Sequence, residues 1–267
     1  MLSEAGNRHP SSVAKAEGGR NSDGPPKTSK LAIVLFGSPG SGKGTQSKFL
    51  TERLGFPQIS TGDMLREHIR RGDDIGRAIE DRMKAGQLVP DELVNRLVEV
   101  RLQEPDTARG FILDGYPRTS AQGETLLDLL DRTGAEAVVI HLVVDYNVII
   151  ARITGRRQCP KCGTLYNLLS RPPKEPGVCD LDGEKLVVRE DDREQVIRER
   201  LEAYDRQTRP LLDFFRETGR RMYEVDASNV TPQTLSDTIC DLVGCDRPGD
   251  TREPGKSEGA RDSRERE

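Results

Sequence analysis

Glycines, a lysine and a hydroxyl are gathered in the nine residues Gly37-Ser-Pro-Gly-Ser-Gly-Lys43-Gly44-Thr45, directly after the apolar run Leu31-Ala-Ile-Val-Leu-Phe36. A strand that ends in a glycine loop and opens a helix is a phosphate cradle. Its backbone N–H groups curl toward an anion, and the new helix adds its positive end. Lys43 would bring a point charge to nucleotide phosphates, and Thr45 a hydroxyl to Mg2+. Gly44 stands where this motif usually has Ser or Thr. The plain alternative is a glycine-rich turn carrying a surface lysine.

A second apolar run, Phe111-Ile-Leu-Asp114, ends in the polar turn Gly115-Tyr116-Pro117-Arg118. A carboxylate at the end of a buried strand can orient hydrated Mg2+, and Arg118 can reach phosphates from the other side. The alternative is an Asp opening a turn beside a surface arginine. In Ile59-Ser-Thr61-Gly62-Asp63-Met64-Leu65-Arg66, Ser60 or Thr61 can cap a following helix. Arg66 is there either a solvated arginine or a fork for a second phosphate-bearing molecule. Arg152, Arg156, Arg157, Arg189 and Arg200 surround a Cys-rich segment. Arg152 and Arg156 are four apart and share a helix face, which costs stability unless an anion accepts both.

That segment holds Cys159-Pro-Lys-Cys162 and Cys179-Asp-Leu-Asp182, two pairs with two residues inside each. The spacing is that of a zinc knuckle or ribbon. Cys159, Cys162, Cys179 and Asp182 would form a closed, structural tetrahedral site. A redox Cys-x-x-Cys is the rival, without a thioredoxin-like context to support it. The three histidines lie outside every motif, and no Ser-His-Asp or Cys-His arrangement is visible. A hydrolase or sugar kinase needs a base to activate its acceptor. A phosphate acceptor does not, because its second pKa is about 6 and its oxygen is already largely ionised near neutrality.

The elements that must hold these groups alternate. Strands are expected at 31–36, 57–59, 110–114, 137–144 and 221–226. Helices are expected at 43–54, 61–71, 91–104, 119–132, 146–155, 193–216 and 231–243. Such alternation predicts a parallel sheet with helices on both faces and ligands at the carboxyl ends of its strands. Residues 60–89 and 156–192 interrupt it and are read as inserted lobes. Residues 1–29 and 246–267 are polar and charged, lack apolar periodicity and are expected to be disordered tails. The net charge of −4, with no basic face, gives nucleic-acid binding little support. No stretch is apolar enough for a membrane helix or a secretory signal. The five cysteines, three at metal-like spacing, fit a reducing, cytoplasmic setting.

Together these segments resemble the adenylate kinases, in the long form with a metal-bearing lid, over about residues 31–243. The resemblance rests on Gly-Ser-Pro-Gly-Ser-Gly-Lys-Gly-Thr-Gln, Ser-Thr-Gly-Asp-Met-Leu-Arg, Leu-Val-Pro-Asp-Glu-Leu and Asp-Gly-Tyr-Pro-Arg-Thr, and its Lys-Gly-Thr form accounts for Gly44. It implies an α/β fold with a P-loop NTPase-like parallel sheet flanked by helices. One domain, 30–245, would carry an inserted AMP-binding lobe at 60–89 and a metal-bearing lid at 155–192. The implied reaction is ATP + AMP ⇌ 2 ADP with Mg2+, in a cytoplasmic monomer holding structural Zn2+, without nucleic-acid or membrane partners. Gly40, Ser41, Gly42, Lys43, Gly44, Thr45, Arg152, Arg156, Leu165, Tyr166 and Asn229 would bind ATP, although Ala227 stands where the adenine loop often has Gly. Thr61, Arg66, Gln87, Leu88, Val89, Gly115, Tyr116, Pro117, Arg118, Gln122, Arg189 and Arg200 would bind AMP, with Gln122 reading the adenine edge. Lys43, Asp114, Arg118, Arg156 and Arg200 would serve the transfer itself. A UMP or CMP kinase on the same scaffold is the near rival. A zinc-ribbon scaffold with a vestigial nucleotide site is the distant one.

Overall fold

The computed structural model describes residues 30–244; the two expected tails and Cys245 lie outside them. Five parallel strands form one sheet in the order β2-β3-β1-β4-β7: β1 (Lys30–Phe36), β2 (Gln58–Ser60), β3 (Gly110–Asp114), β4 (Ala135–Val143) and β7 (Arg221–Asp226). All four pairings are parallel, so each strand must return through a crossover on a sheet face. Alternation along β1 shows where both layers attach. Ala32, Val34 and Phe36 point into one apolar cluster with Val98, Leu126, Leu130 and Phe215. Ile33 and Leu35 point into the other, with Leu50, Leu235 and Ile239. β4 splits in the same way, with Ala137 and Val139 on one side and Val138, Ile140 and Leu142 on the other. A strand buried on both faces reads as an unbroken apolar run, which is why β1 and β4 stood out in the sequence.

The helices are α1 (Lys43–Leu54), α2 (Thr61–Arg71), α3 (Asp74–Lys84), α4 (Asp91–Leu102), α5 (Ser120–Thr133), α6 (Tyr146–Thr154), α7 (Glu194–Ala203), α8 (Leu211–Glu217) and α9 (Pro232–Val243). Their ends follow local chemistry. Ser60, Asp73, Thr119, Asp145 and Thr231 cap helix N-termini with side-chain oxygens. Gly55, Gly72, Gly134 and Gly244 close helices in the left-handed conformation. Helices α2 and α3 occupy the first interruption, and their Leu65 and Ile79 join the first cluster. The second interruption holds a short antiparallel pair, β5 (Arg156–Gln158) and β6 (Leu165–Asn167), which periodicity could not reveal at three residues each. Its buried apolar cluster is small: Cys159, Tyr166, Cys179 and Leu186.

The helix expected over 193–216 is not continuous. After α7 the chain widens into a π turn, Tyr204–Thr208, where Arg209 N donates to Tyr204 O at 2.8 Å, and α8 starts after Pro210. Pro210 has no N–H to extend the α pattern and its ring crowds the preceding turn, so the helix breaks there. Phe215, fully buried on α8, meets Phe36 edge-on with ring centroids 6.5 Å apart. Phe215→Ala is expected to remove about 3–5 kcal/mol of unfolding free energy. Denaturant titration of the purified variant would read that loss.

Candidate functional site

The carboxyl ends of β1 and β3 bring the first two motifs together. Helix α1 has no acidic residue in its first turn, so its positive end is free to favour an anion. Lys43 Nζ donates to Gly37 O at 2.7 Å and to Ser38 O at 2.8 Å, with Ser41 Oγ at 3.4 Å. Burial drops its pKa to about 7. Arg118, Arg200 and Arg156 push the same way, against the pull of Asp114. Asp114 Oδ2 accepts from Gln58 Nε2 at 2.9 Å. Burial pushes this carboxyl above its ordinary range, opposed by the Lys43 charge. A β-carbon on Gly44 would stand 3.2 Å from Asp114 Oδ2. A side chain at 44 would therefore make the Asp114 carboxylate give way by a few tenths of an ångström.

Gly115, at φ +77°, turns the chain directly after Asp114. Its carbonyl accepts from Thr61 Oγ1 at 2.9 Å and from Arg118 Nε at 2.7 Å, which aims the Arg118 guanidinium. A β-carbon there would press on Arg118 Nη2 at 2.8 Å. Tyr116 is buried, its hydroxyl donating to Asn95 Oδ1 at 2.8 Å, so its phenol serves packing. Pro117 follows it in a cis peptide. Gln122, also buried, accepts from Arg118 N through Oε1 at 2.8 Å and donates through Nε2 to Asp91 Oδ1 at 2.6 Å. Val89 is buried and Gln87 exposed, just beyond Gly86, which is tight against Val196 and Arg200 of α7. Leu88 lies half-buried between them.

The arginines converge through carboxylates that the motifs did not announce. Asp192, whose side chain is 0% exposed, accepts from Arg156 Nη1 at 3.1 Å and from Arg200 Nη1 at 2.7 Å. Arg200 Nη1 also donates to Asp191 O at 2.8 Å, and Arg66 Nη1 stands 3.9 Å from Asp191 Oδ2. Asp63 takes Arg66 Nη2 at 2.6 Å and lies 3.7 Å from Arg189 Nη2. Burial lowers the pKa of Arg118 and Arg189 to about 10; Arg200 adds to the shift at Arg118, and Arg66 and Arg156 at Arg189. Arg66 Nε is buried with no hydrogen-bond partner. The signal for these acids was the run Glu190-Asp191-Asp192 immediately after Arg189, an acidic patch beside a cation.

Other expected residues fall into distinct places. Arg152 donates to Ala227 O at 2.7 Å and lies 3.5 Å from Ser41 O, tying the 226–230 loop to the phosphate loop. Asn229 is exposed on that loop, whose Ala227 N donates to Val143 O at 2.8 Å. Tyr166 turns into the small cluster of the second interruption. Its hydroxyl accepts from Asp180 N at 2.8 Å and lies 3.5 Å from Cys179 Sγ. Leu165, its neighbour on β6, is half-buried.

Cys159, Cys162, Cys179 and Asp182 bring their ligand atoms within 4.8 Å of one another. Tetrahedral bonds of about 2.3 Å to sulfur and 2.0 Å to oxygen demand edges of about 3.5–3.8 Å. Cys162 Sγ and Cys179 Sγ are 3.6 Å apart, and Cys159 Sγ lies 3.4 Å from both Asp182 oxygens. The donor set therefore fits one thiophilic ion. The backbone N–H of Glu184 and nearby thiols hold the Asp182 carboxyl down at about 2, ready as an anion.

Comparison with known proteins points to one family. A family model described as adenylate kinase matches residues 35–220. The chain is 48% identical over 210 residues to an adenylate kinase of Thermosipho melanesiensis, covering 78% of this chain and 98% of the relative. An adenylate kinase of Archaeoglobus fulgidus is 46% identical over 199 residues (74% of this chain, 91% of the relative). One from Thermotoga petrophila is 49% identical over 189 residues (70% and 86%).

Asp192→Ala would leave two guanidiniums facing each other without their shared carboxylate. It is expected to cost about 3–5 kcal/mol of stability, read by denaturant titration. A polyphosphate anion should recover part of the loss by taking the carboxylate's place.

Proposed function

The chain belongs to the adenylate kinase family, and its activity is that of a nucleoside monophosphate kinase transferring a phosphoryl group between adenine nucleotides. From that premise we propose that ATP is the donor held by the phosphate loop and AMP the preferred acceptor held across from it. One observation carries this reading. Lys43, Arg66, Arg118, Arg156, Arg189 and Arg200 are close enough that several of them depress one another's pKa values. Such mutual repulsion is relieved by a polyanion shared among them, as a donor triphosphate and an acceptor monophosphate would be.

In the transfer, an oxygen of the acceptor phosphate forms the new P–O bond as the bond between the β,γ-bridging oxygen and the γ-phosphorus of ATP breaks. The bonding electrons leave on the ADP phosphate. The acceptor oxygen is already ionised, so the chain's residues need only align, neutralise and exclude water. Lys43, Gly40, Ser41, Gly42 and Gly44 hold the donor phosphates. Arg118, aimed by Gly115 O, faces the group in flight. Arg156 and Arg200, fixed through Asp192, bring charge from the lid side. Arg66, with its open Nε, and Thr61 hold the acceptor phosphate, assisted by Arg189. Mg2+ bound with ATP would be held by Thr45 and, through water, Asp114, and supplies charge neutralisation of the triphosphate. Arg152 and the 226–230 loop, including Asn229, border the donor adenine. Gln122, with Gly115, the backbones of Tyr116 and Pro117, and the segment Gln87, Leu88 and Val89, borders the acceptor nucleoside.

We further propose that residues 60–89 form the acceptor lobe and 155–192 a lid, in a chain acting as a monomer in a reducing cytoplasm. Thiols clustered as metal ligands support the reducing setting. Among the described residues no helix is long and apolar enough to cross a membrane. The bound ion at Cys159, Cys162, Cys179 and Asp182 would be Zn2+ in a structural role, because four protein ligands leave no open position. A lid with so small an apolar cluster gains folding energy from such an ion.

Initial rates with AMP, UMP, CMP and GMP as acceptors should rank AMP first by a wide margin; comparable rates with UMP or CMP would overturn the AMP assignment. Lys43→Ala is expected to lower kcat by roughly two to three orders of magnitude while circular dichroism stays unchanged. Chelation should lower the melting temperature by several degrees, while the fraction still folded keeps its activity. Elemental analysis should find a single metal ion per chain before treatment.

A further inference from the structure

The motif Leu88-Val-Pro-Asp91-Glu-Leu contains one residue whose role the reaction has not used. Asp91 opens α4, half-buried, and its two oxygens are both engaged. Oδ1 accepts from Gln122 Nε2 at 2.6 Å, and Oδ2 accepts from Thr119 Oγ1 at 2.7 Å. Thr119 is itself the cap of α5, its hydroxyl accepting from Gln122 N at 3.2 Å. The hydroxyl proton is thus committed to Asp91, which fixes the carboxylate against the start of the helix that carries Gln122.

The other end of the Gln122 amide accepts from the backbone N–H of Arg118 at 2.8 Å. A side-chain amide can present its oxygen and nitrogen in either of two orientations, and only its partners choose between them. Here one partner is a carboxylate, which only accepts, and the other is a backbone N–H, which only donates. Reversal would set NH2 against N–H and oxygen against carboxylate, two repulsive contacts at buried groups. The carboxylate uses one N–H of Gln122 and the backbone amide one lone pair, leaving one of each. With the orientation locked, these can pair with an edge that has an amino donor beside a ring-nitrogen acceptor, as adenine has. A 6-oxopurine, with a carbonyl beside a ring N–H, offers the opposite polarity and requires the reversed amide.

We propose that Asp91 is a positioning residue that sets base specificity by locking the Gln122 amide in the adenine-reading orientation. The proposal rests on the reading of Gln122 as the acceptor-base contact. Asp91→Asn keeps the size of the side chain but can turn an NH2 toward Gln122, which removes one of the two repulsive contacts of the reversed amide and leaves only the one at Arg118 N. The test compares kcat/KM for AMP and for inosine monophosphate, whose 6-oxo group and N1 proton reverse the edge without adding another substituent. It uses the full chain as wild type, Asp91→Asn, Asp91→Glu and Gln122→Met.

The preference for AMP is expected to fall by about tenfold or more in Asp91→Asn, mainly through KM for the acceptor, with KM for ATP unchanged. Asp91→Glu, still acceptor-only, should retain most of the preference. If Gln122→Met collapses the preference but Asp91→Asn leaves the AMP-to-inosine ratio at the wild-type value, the lock is refuted and the base contact stands. A wild-type ratio in Gln122→Met refutes the base contact itself. A loss of both rates in equal proportion in Asp91→Asn, matched by a lower melting temperature, marks a structural role and overturns the proposal.

Discussion

Crowding of like charge is the constraint around which this structure is arranged. Six cationic side chains meet at the carboxyl edge of the sheet, and in water-poor surroundings such a group would fly apart. Four carboxylates hold it together in a fixed pattern: Asp63 with Arg66, Asp114 near Lys43, Asp191 with Arg66 and Arg200, and Asp192 between Arg156 and Arg200. These acids set where Arg66, Arg156 and Arg200 lie, and the Gly115 carbonyl sets Arg118. Much of the ordering cost of binding is therefore met in folding, which is what preorganisation means for an electrostatic site. Several of these pairs join segments far apart in sequence, Arg66 to Asp191 and Arg189 to Asp63, so the same carboxylates also tie separate elements to one another.

The sheet makes that arrangement possible because it is parallel. Every strand ends on the same edge, so β1, β2 and β3 deliver Lys43, Thr61 and Asp114 from residues far apart in the chain to one place. The register pairs Ser60 with Asp114 and Leu35 with Asp114 on either side of β3, so the carboxylate sits centrally between the two turns. Glycines then admit side chains into space that a β-carbon would fill. Gly44 makes room for Asp114, and Gly115 for Arg118.

Much of this was legible in the amino-acid order, for physical reasons that differ by element. β1 and β4 are covered on both sides and so carry continuous apolar runs. The phosphate loop declares itself because only glycine suits its backbone. The cysteine knuckles showed through spacing, since ligand geometry dictates it. What stayed hidden was pairing across distance. Nothing local distinguishes Asp192, buried between two arginines, from Glu190, which holds an exposed Arg193. The packing of the Tyr166 ring against Cys179 was likewise hidden, because nothing in the local sequence turns it inward. The long helix expected over 193–216 followed an apolar rhythm that continues through Pro210, whereas the backbone hydrogen bonds do not.

The neck of the cysteine-bearing segment has a wider meaning. Gln158 and Val187 exchange both backbone hydrogen bonds, at 2.8 and 2.9 Å, so the chain leaves and returns through adjacent points. A segment joined at so narrow a waist transmits little of its internal architecture to the sheet below. Its interior can be rebuilt, lengthened or given a different set of stabilising bonds by exchange of a cassette, with Arg156 and Arg189 kept at the two ends of the waist. Heat tolerance of this segment and rate of the chemistry can then diverge over generations, each altered without renegotiating the other.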